Sequence, residues 1–315
     1  MQRQFTVTLL TLGLTGSLLS VGSMLSGHHI VFDLLSHFRL QYIVLILPLL
    51  LLALAGKRWL ISLVLTTCLC VHLFTVYQSQ QRVSPAVPFP NAERQLTTLK
   101  VMTSNLLASN TSHDRQINTI QSANPDVIVF QEYTSAWHTV LSNALSSYPH
   151  KLTAPLDNPF GIAMYSRYPF TDSTVAPLFT GGKAAIRATV SISGKHIDIF
   201  GVHPPPPISA ALYRERNKHL QLLAEYGSQS NGPMVIAGDL NTSPWSGAFM
   251  QFVQQGNLFD TRAGKGVFAT WPDFFKPLQI PIDYIIVSAH FNVLSMHVSG
   301  DLGSDHKTIW ATLQF

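Results

Sequence analysis

The sequence is short of charge and of cysteine, and each shortage narrows what the protein can be. Asp, Glu, Lys and Arg make up 11% of the 315 residues, less than half of the roughly 25% usual in a soluble domain. The two cysteines, Cys68 and Cys70, lie in an apolar stretch, where we interpret them as packing residues rather than as a metal-binding pair. The chain after them has no thiol with which to form a disulfide. A glycine-rich phosphate loop and internal repeats are also absent, which excludes a P-loop nucleotide site and a solenoid.

The net charge of +4 belongs to the N-terminal part of the chain. From Gln95 onward there are 14 basic and 14 acidic side chains, so that part is neutral by formal count. Nonspecific DNA binding depends on Lys and Arg that neutralise phosphates. A neutral domain therefore argues against tight nonspecific DNA binding. The basic excess near the apolar stretches is expected to set membrane topology instead.

Three apolar stretches, residues 5–25, 40–55 and 59–77, dominate the first 80 residues. Each approaches the ~20 residues that a helix needs to cross a bilayer. A signal peptide is an alternative for the first stretch, and a buried helical hairpin is the alternative for a soluble protein. We predict a membrane anchor of about three transmembrane helices over residues 1–80. A proline-containing linker over residues 81–97 would join it to one globular domain over residues 98–315.

The charges beside these stretches favour one orientation. Arg3 and the pair Lys57 and Arg58 on the cytoplasmic side would place the globular domain outside the cell, whereas Arg39 and Arg82 argue for the opposite. We therefore expect an extracytoplasmic domain. Three histidines in the first inter-span loop resemble a metal cluster by composition, but a loop at the membrane interface explains them better: His28, His29 and His37.

In residues 98–315, strand patterns outnumber helix patterns. Apolar runs that end in polar residues predict strands at residues 99–105, 126–132, 161–166, 185–192, 196–202, 233–239, 281–288, 291–298 and 308–313. Helices are predicted at residues 114–122, 137–145, 210–225 and 247–255. Many neighbouring strands look antiparallel, which favours an α+β or layered α/β arrangement over a Rossmann fold.

Polar side chains suited to phosphate chemistry close several of these strands. The most informative run is residues 233–241, in which an apolar strand ends in Gly-Asp-Leu-Asn. Asp239 and Asn241 are two residues apart, so an extended backbone would place them on one face. Ordinary strand-ending turn chemistry is the alternative for this pair. Other polar residues take the same position elsewhere in the chain: Asn105, Glu132, His203, Asp283, Asp305 and His306.

These residue types fit together as a hydrolytic site. Asn105, Glu132 and Asp305 offer the hard oxygen ligands that Mg²⁺ prefers. His306 can exchange a proton near neutral pH, and a carboxylate such as Asp283 can orient it and raise its basicity. Glu132 at the end of a buried strand is hard to explain as structure alone, because an unpaired buried carboxylate is costly. Strand ends that converge on one sheet edge would form the polar cleft that such groups need.

With these motifs the sequence resembles the endonuclease/exonuclease/phosphatase superfamily over about residues 98–315. Seven pieces occur in the family's order: the Asn105 strand end, Phe130-Gln131-Glu132, Gly161-Ile162-Ala163 with Ser166-Arg167-Tyr168-Pro169, Val202-His203-Pro204, Gly238-Asp239-Leu240-Asn241, Ile282-Asp283-Tyr284 and Ser304-Asp305-His306. The resemblance implies a DNase I-like four-layer α/β sandwich, with two packed β-sheets flanked by helices and preceded here by N-terminal transmembrane helices. The polyproline run after His203 and the apolar stretches are similar to those of bacterial membrane-anchored members. This implies a multi-pass protein of the bacterial inner (cell) membrane.

The family also implies a role for each matching position. Glu132, with Asn105 and Asp305 nearby, would hold Mg²⁺, with Mn²⁺ as the alternative metal. Asp239 would position or deprotonate the attacking water. Asn241 would act with it in catalysis and hydrogen-bond the phosphate of the substrate.

The histidines complete the implied machinery. His306, paired with Asp283 or Asp305, would bind the phosphate and stabilise the transition state. His203 would protonate the leaving oxygen, although the two histidines are interchangeable as acid and base at this level. Arg167 is a further candidate for substrate binding, with a structural salt bridge as its equal alternative.

The resemblance thus implies a membrane-anchored, Mg²⁺-dependent phosphoesterase that hydrolyses phosphodiester bonds and is nuclease-like. Its partner would be a nucleic acid or a phospholipid. A lipid phosphodiesterase or phosphatase, similar to sphingomyelinases or phosphoinositide phosphatases, is the alternative, because a neutral domain beside a bilayer suits a lipid at least as well as duplex DNA. An inactive membrane-tethered binding module is disfavoured, because this chain keeps every acidic and histidine position of the pattern.

Overall fold

The computed structural model describes residues 2–86 and 97–315, with side chains from Thr8 onward. The chain divides into two compact units. The helical unit comprises Met1–Gln81 and Thr242–Met250, and the sandwich unit comprises Arg82–Asn241 and Gln251–Phe315. Residues 82–86, the start of the predicted linker, belong to the sandwich unit, where the Arg82 Nε donates to the carbonyl of Leu258 (2.9 Å). The rest of that predicted linker, residues 87–96, lies outside the described residues.

The helical unit contains α1 (Gln2–Val21), α2 (Ile30–Ser36), α3 (Arg39–Ala55) and α4 (Trp59–Gln81), with a 3₁₀ turn at Gly22–Leu25. Apolar residues surround α3 and α4 on all sides, which is typical of membrane spans. Within the described residues, Thr8–Leu25 and Trp59–Gln81 are each long and apolar enough to cross a membrane. The helices α2 and α3 meet at a bend of 68° and reach that length only as a pair. Length and composition therefore give two candidate spans, or three if the bent pair counts as one.

A buried polar network joins three of these helices. The His72 ring on α4 lies between the Ser20 hydroxyl (2.8 Å) and the Arg39 guanidinium (3.2 Å). Because a guanidinium can only donate, His72 accepts at Nδ1 and donates to Ser20 from Nε2. Arg39 is buried in this network, so it does not lie in an exposed flanking loop.

The cysteines and loop histidines of the helical unit have separate roles. On α4, Cys68 is buried and Cys70 is exposed, so the two thiols face different sides of the helix. His29 accepts from the backbone N–H of Val31 at the start of α2 (3.2 Å), while the His37 ring contacts the Ser243 hydroxyl (3.1 Å). Across the described part of the chain, no group of residues that could hold a metal ion includes these cysteines or histidines.

The sandwich unit is built mainly from strands. These are β1 (Thr98–Asn105), β2 (Val127–Gln131), β3 (His150–Ala154), β4 (Ile162–Ser166), β5 (Phe170–Pro177), β6 (Ala184–Ile192), β7 (Lys195–Val202), β8 (Met234–Asp239), β9 (Leu258–Asp260), β10 (Asp283–Ser288), β11 (Asn292–Val298) and β12 (Ile309–Gln314). The helices that follow α4 in the chain are α5 (His113–Ala123), α6 (Ser135–Ala144), α7 (Ala210–Gln229) and α8 (Gly247–Gln255). A short 3₁₀ turn covers Lys276–Leu278.

The strands form two six-stranded sheets of the same design, in the orders β11-β12-β1-β2-β4-β3 and β5-β6-β7-β8-β10-β9. Each sheet is centred on one parallel pair, β1 with β2 or β7 with β8, and its other neighbours are antiparallel. A parallel pair needs a crossover connection, which α5 supplies in one sheet and α7 in the other. The two strands of each parallel pair therefore have their carboxyl ends at the same end of the sheet.

The two sheets pack face to face, and helices cover their outer faces. Aliphatic side chains from both sheets form the central core, among them Val101, Val129, Ile199, Val235 and Ile285. On one outer face α5 and α6 bury a second cluster with β1, β2 and β4, and on the other α7 packs its apolar stripe. This arrangement confirms the expected DNase I-like four-layer α/β sandwich. All nine predicted strands and four predicted helices are present, and three strands that the sequence did not predict, β3, β5 and β9, occupy sheet edges.

A histidine on the buried face of α7 makes the free energy of unfolding depend on pH. His219 is 1% exposed, packs edge-on against Phe179 (5.0 Å between ring centroids), and has no hydrogen-bond partner for either ring nitrogen among the described residues. Burial, with smaller effects from His203 and Lys183, lowers the pKa of His219 to about 4. The unfolded ring takes up its proton near pH 6.5. Stability is therefore unaffected above that pH and falls as the pH drops towards 4.

We expect this residue alone to reduce the free energy of unfolding by about 2–3 kcal/mol between pH 7.5 and 4.5. The melting temperature of the full-length protein in detergent, followed by tryptophan fluorescence, measures the effect. His219→Leu should flatten the fall in melting temperature. His196→Leu, at an exposed histidine, is the matched control and should keep it. An equally steep fall in both variants would contradict the assignment to His219.

Candidate active site

The ends of the two parallel strand pairs meet at one place. Asn105, which closes β1, donates from Nδ2 to Oδ2 of Asp239, which closes β8 (3.3 Å). Strand β10 begins at the same edge, because Asp283 is paired with Asp239 across the sheet. His203 follows β7 directly, and its Nε2 lies 3.4 Å from Asp239 Oδ2. Residues from both sheets are thus brought into one polar cluster, as the strand-end pattern predicted.

His306 and Asp283 form a buried pair in this cluster. The His306 Nδ1 lies 2.9 Å from Asp283 Oδ2, and both side chains are buried. Burial alone would lower the pKa of His306, but the nearby carboxylates of Asp283 and Asp239 together raise it to about 10. His306 is therefore an imidazolium at neutral pH. Of the two carboxylates considered as its partner, the structure places Asp283 in contact.

Asp239 lies between two imidazoles. Its Oδ2 is 3.4 Å from His203 Nε2 and 3.7 Å from His306 Nε2, and its Oδ1 accepts from the backbone N–H of Asn241 (2.8 Å). Burial alone would raise the pKa of Asp239, but the charge of His306 and the hydrogen bonds from His203 and Asn241 hold the pKa below its usual range. Asp239 is therefore ionised across the neutral range and available as a hydrogen-bond acceptor.

Glu132 is held in place by two hydrogen bonds and by an unusual backbone. Its Oε1 accepts from Asn105 Nδ2 (3.2 Å) and its Oε2 from the backbone N–H of Ala108 (2.8 Å). Its φ is 53°, in the left-handed region that non-glycine residues rarely adopt. Asn241 has a φ of 50°, so two of the site residues share this strained conformation. Such strain persists where the surroundings fix a side chain in a set position.

Asp305 is fixed by a tryptophan of the neighbouring loop. Trp271 donates from Nε1 to Asp305 Oδ2 (3.0 Å), and the Ser304 hydroxyl donates to the carbonyl of Asn105 (2.8 Å). The turn that carries Asp305 and His306 is therefore attached to the end of β1. An indole N–H that is removed from water needs a hydrogen-bond acceptor, and this requirement could have indicated the contact from the sequence.

Arg216 is a site neighbour that the sequence analysis missed. It is buried on α7, and its Nη1 donates to the carbonyl of Asn241 (2.8 Å). The Asn241 amide in turn donates to the carbonyl of Pro204 (3.0 Å). The sequence did contain an indication of this contact, because Arg216 lies at helical spacing from Leu220 and Leu223 in the apolar stripe of α7. A charged side chain in such a stripe needs a buried partner.

Arg167 is not brought to the cluster. It follows the end of β4 that pairs with the start of β2, whereas Glu132 follows the opposite end of β2. Its guanidinium donates to the Asn124 side chain and lies over the Tyr148 ring at 5.0 Å. The expected phosphate contact of Arg167 is therefore corrected to a role in packing.

The donor set beside these histidines fits a divalent cation. The Asn105 side chain lies beside Glu132, with its Nδ2 donating to Glu132 Oε1 (3.2 Å) and its Oδ1 accepting from the backbone N–H of Leu107 (3.1 Å). Asp305 Oδ1 is buried and has no hydrogen-bond partner among the described residues. An orphaned buried carboxylate oxygen is costly unless a cation satisfies it. Asp239, Asp283 and His306 form a second group whose possible ligand atoms lie within 4.8 Å of one another. In that group the His306–Asp283 hydrogen bond occupies Asp283 Oδ2 and the ring Nδ1, while Asp283 Oδ1 is also buried without a partner among the described residues. Both groups therefore offer ligand atoms to a divalent cation.

Two comparisons with known proteins identify relatives of this fold. Residues 102–306 match the sequence profile of the Endonuclease/Exonuclease/phosphatase family. An endonuclease/exonuclease/phosphatase from Beutenbergia cavernae has a similar structure, with a TM-score of 0.54 and 22% identity, over 69% of this chain and 72% of that one. A family protein from Bacteroides thetaiotaomicron aligns with a TM-score of 0.57 and 19% identity, over 71% and 97% of the two chains.

A third similar structure is TDP2 of D. rerio, solved in complex with single-stranded DNA product. It aligns with a TM-score of 0.57 and 18% identity over 69% of this chain and 99% of that one. At these identities the three structures support the fold alone. No protein with a curated description matches the sequence.

Proposed function

Because the chain belongs to the Endonuclease/Exonuclease/phosphatase family, we propose that it is a membrane-anchored, Mg²⁺-dependent hydrolase that cleaves phosphodiester bonds with water. The observation that carries this proposal is Asp239, placed between two imidazoles, one of which is backed by the buried carboxylate of Asp283. Such a group of titratable side chains in one cluster is suited to proton transfer and to binding an oxyanion.

The proposed chemistry begins with the two groups that bind and orient. The His306 imidazolium donates from Nε2 to a non-bridging oxygen of the phosphate and stabilises the charge that develops there. Asp283 holds the Nδ1 proton of His306 and so fixes the direction of Nε2. Asp239 accepts a hydrogen bond from the attacking water and aligns it with the phosphorus. Its lowered pKa makes this carboxylate better at orienting the water than at removing the proton completely.

His203 completes the proposed proton transfer. Its Nε2 lies 3.4 Å from Asp239 Oδ2, the oxygen that also faces His306 Nε2. We assign it the proton that the leaving oxygen takes as the old P–O bond breaks, while the proton of the attacking water passes to Asp239 once the new P–O bond has made that proton acidic. Asn241 is given a positioning role, because its amide donates to Pro204 and its backbone N–H donates to Asp239.

Glu132, Asn105 and Asp305 would hold the metal. Mg²⁺ bound by these oxygens would neutralise charge on the phosphate group undergoing hydrolysis. The chain's own contribution is the fixed placement of the donors: Asn105 joins Glu132 to Asp239, and Trp271 holds Asp305.

The anchor and the location are part of the same proposal. The helices α1 and α4, with α2 and α3 as a bent pair, would embed the protein in a bacterial inner membrane. With Arg39 buried, the remaining flanking charges Arg3, Lys57 and Arg58 favour an extracytoplasmic sandwich unit, while Arg82 still argues against it.

Removal of the metal tests the proposed reaction. The full-length protein in detergent should hydrolyse bis(p-nitrophenyl) phosphate, lose this activity in EDTA and recover it with added Mg²⁺ or Mn²⁺. The diester should be preferred over p-nitrophenyl phosphate. Faster monoester hydrolysis would support a phosphatase instead. Hydrolysis that is unaffected by EDTA would contradict the metal-dependent proposal.

A further inference from the structure

An exposed apolar segment projects from the loop that holds Asp305. Residues 274–278, with the sequence Phe-Phe-Lys-Pro-Leu, form the end of this loop, which we call the apolar tip. Phe274 is 79% exposed, Phe275 48% and Leu278 44%. Isolated apolar side chains are common on protein surfaces, but a group of them in one short segment indicates a binding surface.

The stem of this loop is braced against the candidate active site. The backbone N–H of Asp273 donates to the carbonyl of Asp305 (2.8 Å), and Trp271 exchanges two backbone hydrogen bonds with Ile280 (2.6 and 3.0 Å). Lys307 contacts both Asp273 (3.4 Å) and Gln279 (3.2 Å). The braced stem therefore holds the apolar tip out in solvent beside Asp305.

A second exposed apolar side chain lies close in the chain to His203. Ile208 is 77% exposed and follows four consecutive prolines that lead from His203. Proline fixes the backbone φ angle, so this segment has little freedom to fold Ile208 inwards. Its neighbour in the chain, Pro204, is fixed to Asn241. The apolar tip thus extends from the loop that contacts Asp305, and Ile208 lies at the end of the segment that begins at His203.

A cavity lies between the apolar tip and the site. It has a volume of about 530 Å³, and its lining combines the apolar Leu107 and Phe274 with charged side chains, namely Lys276, Lys307, Asp273, Asp301 and Asp305. Apolar side chains beside cationic and acidic groups suit a molecule with an apolar part and a charged head. A nucleic acid strand offers repeated charge, whereas the residues from Gln95 onward have no basic excess with which to bind it.

We propose that the apolar tip and Ile208 enter the interfacial layer of a lipid bilayer, and that the substrate is a phospholipid whose phosphodiester is presented there. This inference rests on the proposed phosphodiesterase function. The candidate spans α1 and α4 would keep the protein in a bilayer, so that the apolar partner, the lipid, is always present. Lys276 within the apolar tip supplies the cation that interfacial segments direct at lipid phosphates.

Environment-sensitive labels on the full-length protein test the docking surface without relying on activity. In a Cys68→Ala, Cys70→Ala background, single cysteines replace Phe274, Ile208 or Leu294 and carry the fluorophore NBD. Leu294, on edge strand β11, is 47% exposed and serves as the matched control. The protein is reconstituted into vesicles of phosphatidylcholine and phosphatidylglycerol.

We expect the labels at residues 274 and 208 to emit at shorter wavelength in vesicles than in water and to be quenched by doxyl-labelled lipid. The label at residue 294 should instead be quenched by iodide from the aqueous phase. Equal iodide quenching at all three positions would overturn the docking surface.

Hydrolysis in the same vesicles tests the substrate class. The double variant Ile208→Ser, Phe275→Ser should lower phosphatidylglycerol hydrolysis at least about tenfold and leave hydrolysis of soluble bis(p-nitrophenyl) phosphate unchanged, because neither side chain lines the cavity. Leu294→Ser should change neither. Cleavage of single- or double-stranded DNA with no hydrolysis of vesicle lipid would overturn the lipid assignment in favour of a nuclease. If the unmodified protein hydrolysed no bis(p-nitrophenyl) phosphate, the phosphodiesterase function would be overturned instead. The labels would still show whether the apolar tip and Ile208 bind lipid.

Discussion

Replacement of His306 by alanine is expected to lower kcat for phosphodiester hydrolysis by about 10³–10⁴-fold. The imidazolium faces Asp239 and is held by Asp283, so its loss removes both the positive charge at the phosphate and the group that keeps Asp239 ionised. The measurement is steady-state hydrolysis of bis(p-nitrophenyl) phosphate by the full-length protein. Since the charge acts mainly in the transition state, KM should change much less than kcat.

Two further variants separate chemistry from folding in this experiment. His306→Ala leaves Asp283 buried and unpaired, which destabilises the fold, whereas His306→Gln keeps a donor for Asp283 and should be equally inactive. Asp283→Asn combined with His306→Ala should cost little more than His306→Ala alone, because the two side chains act as one unit. His196→Ala, at an exposed histidine near the opposite end of β7 from His203, is the control and should retain activity. A loss below about tenfold in His306→Gln would remove His306 from the mechanism.

Replacement of Glu132 by glutamine is expected to lower activity by about 10²–10³-fold and to raise the Mg²⁺ concentration needed for half-maximal activity more than about tenfold. Glutamine has the same shape but loses the charge. Its amide nitrogen would also meet one of the two N–H donors, from Asn105 or Ala108, that now bind the carboxylate. A Mg²⁺ titration of hydrolysis measures the first effect. Mn²⁺ binding, followed by electron paramagnetic resonance, measures affinity without turnover.

Glu225→Gln is the matched control for this experiment. Glu225 is exposed on α7, and its side-chain carboxylate accepts from Gln221 on the same helix (3.0 Å). It should leave both the activity and the Mg²⁺ dependence unchanged. An unaltered Mn²⁺ affinity in Glu132→Gln would show that the metal is held elsewhere, and the cluster of Asp239, Asp283 and His306 would then be the next candidate.

The strands that could be predicted are those whose buried side chains give an apolar pattern in the sequence. Strands such as β2 and β8 are buried along their whole length and therefore read as continuous apolar runs. The three unpredicted strands lie at sheet edges. In β5 most side chains are exposed, β3 is half-buried throughout, and β9 has three residues. An edge strand pairs on one side only and needs no apolar face, so its residues carry little signal.

The candidate site was predictable because its members follow buried strands, where a polar residue stands out against its neighbours. Asn105, Glu132 and Asp239 were found in this way. Arg216 was missed because its partner, the carbonyl of Asn241, belongs to the backbone and has no mark in the sequence. Arg167 was misplaced for a related reason: motif order does not say at which end of a strand a residue lies, and β4 runs opposite to β2.

The order of the elements along the chain has a consequence for biosynthesis. Strand β12 follows every other element and yet lies inside its sheet, between β11 and β1. His306 precedes it directly, whereas the apolar helices α1, α3 and α4 come first in the chain. A ribosome therefore delivers the membrane-seeking helices long before the last catalytic group. The membrane-anchored hydrolase proposed above would thus reach the membrane while still inert, and it would gain the ability to attack phosphodiesters only when β12 closes the sheet.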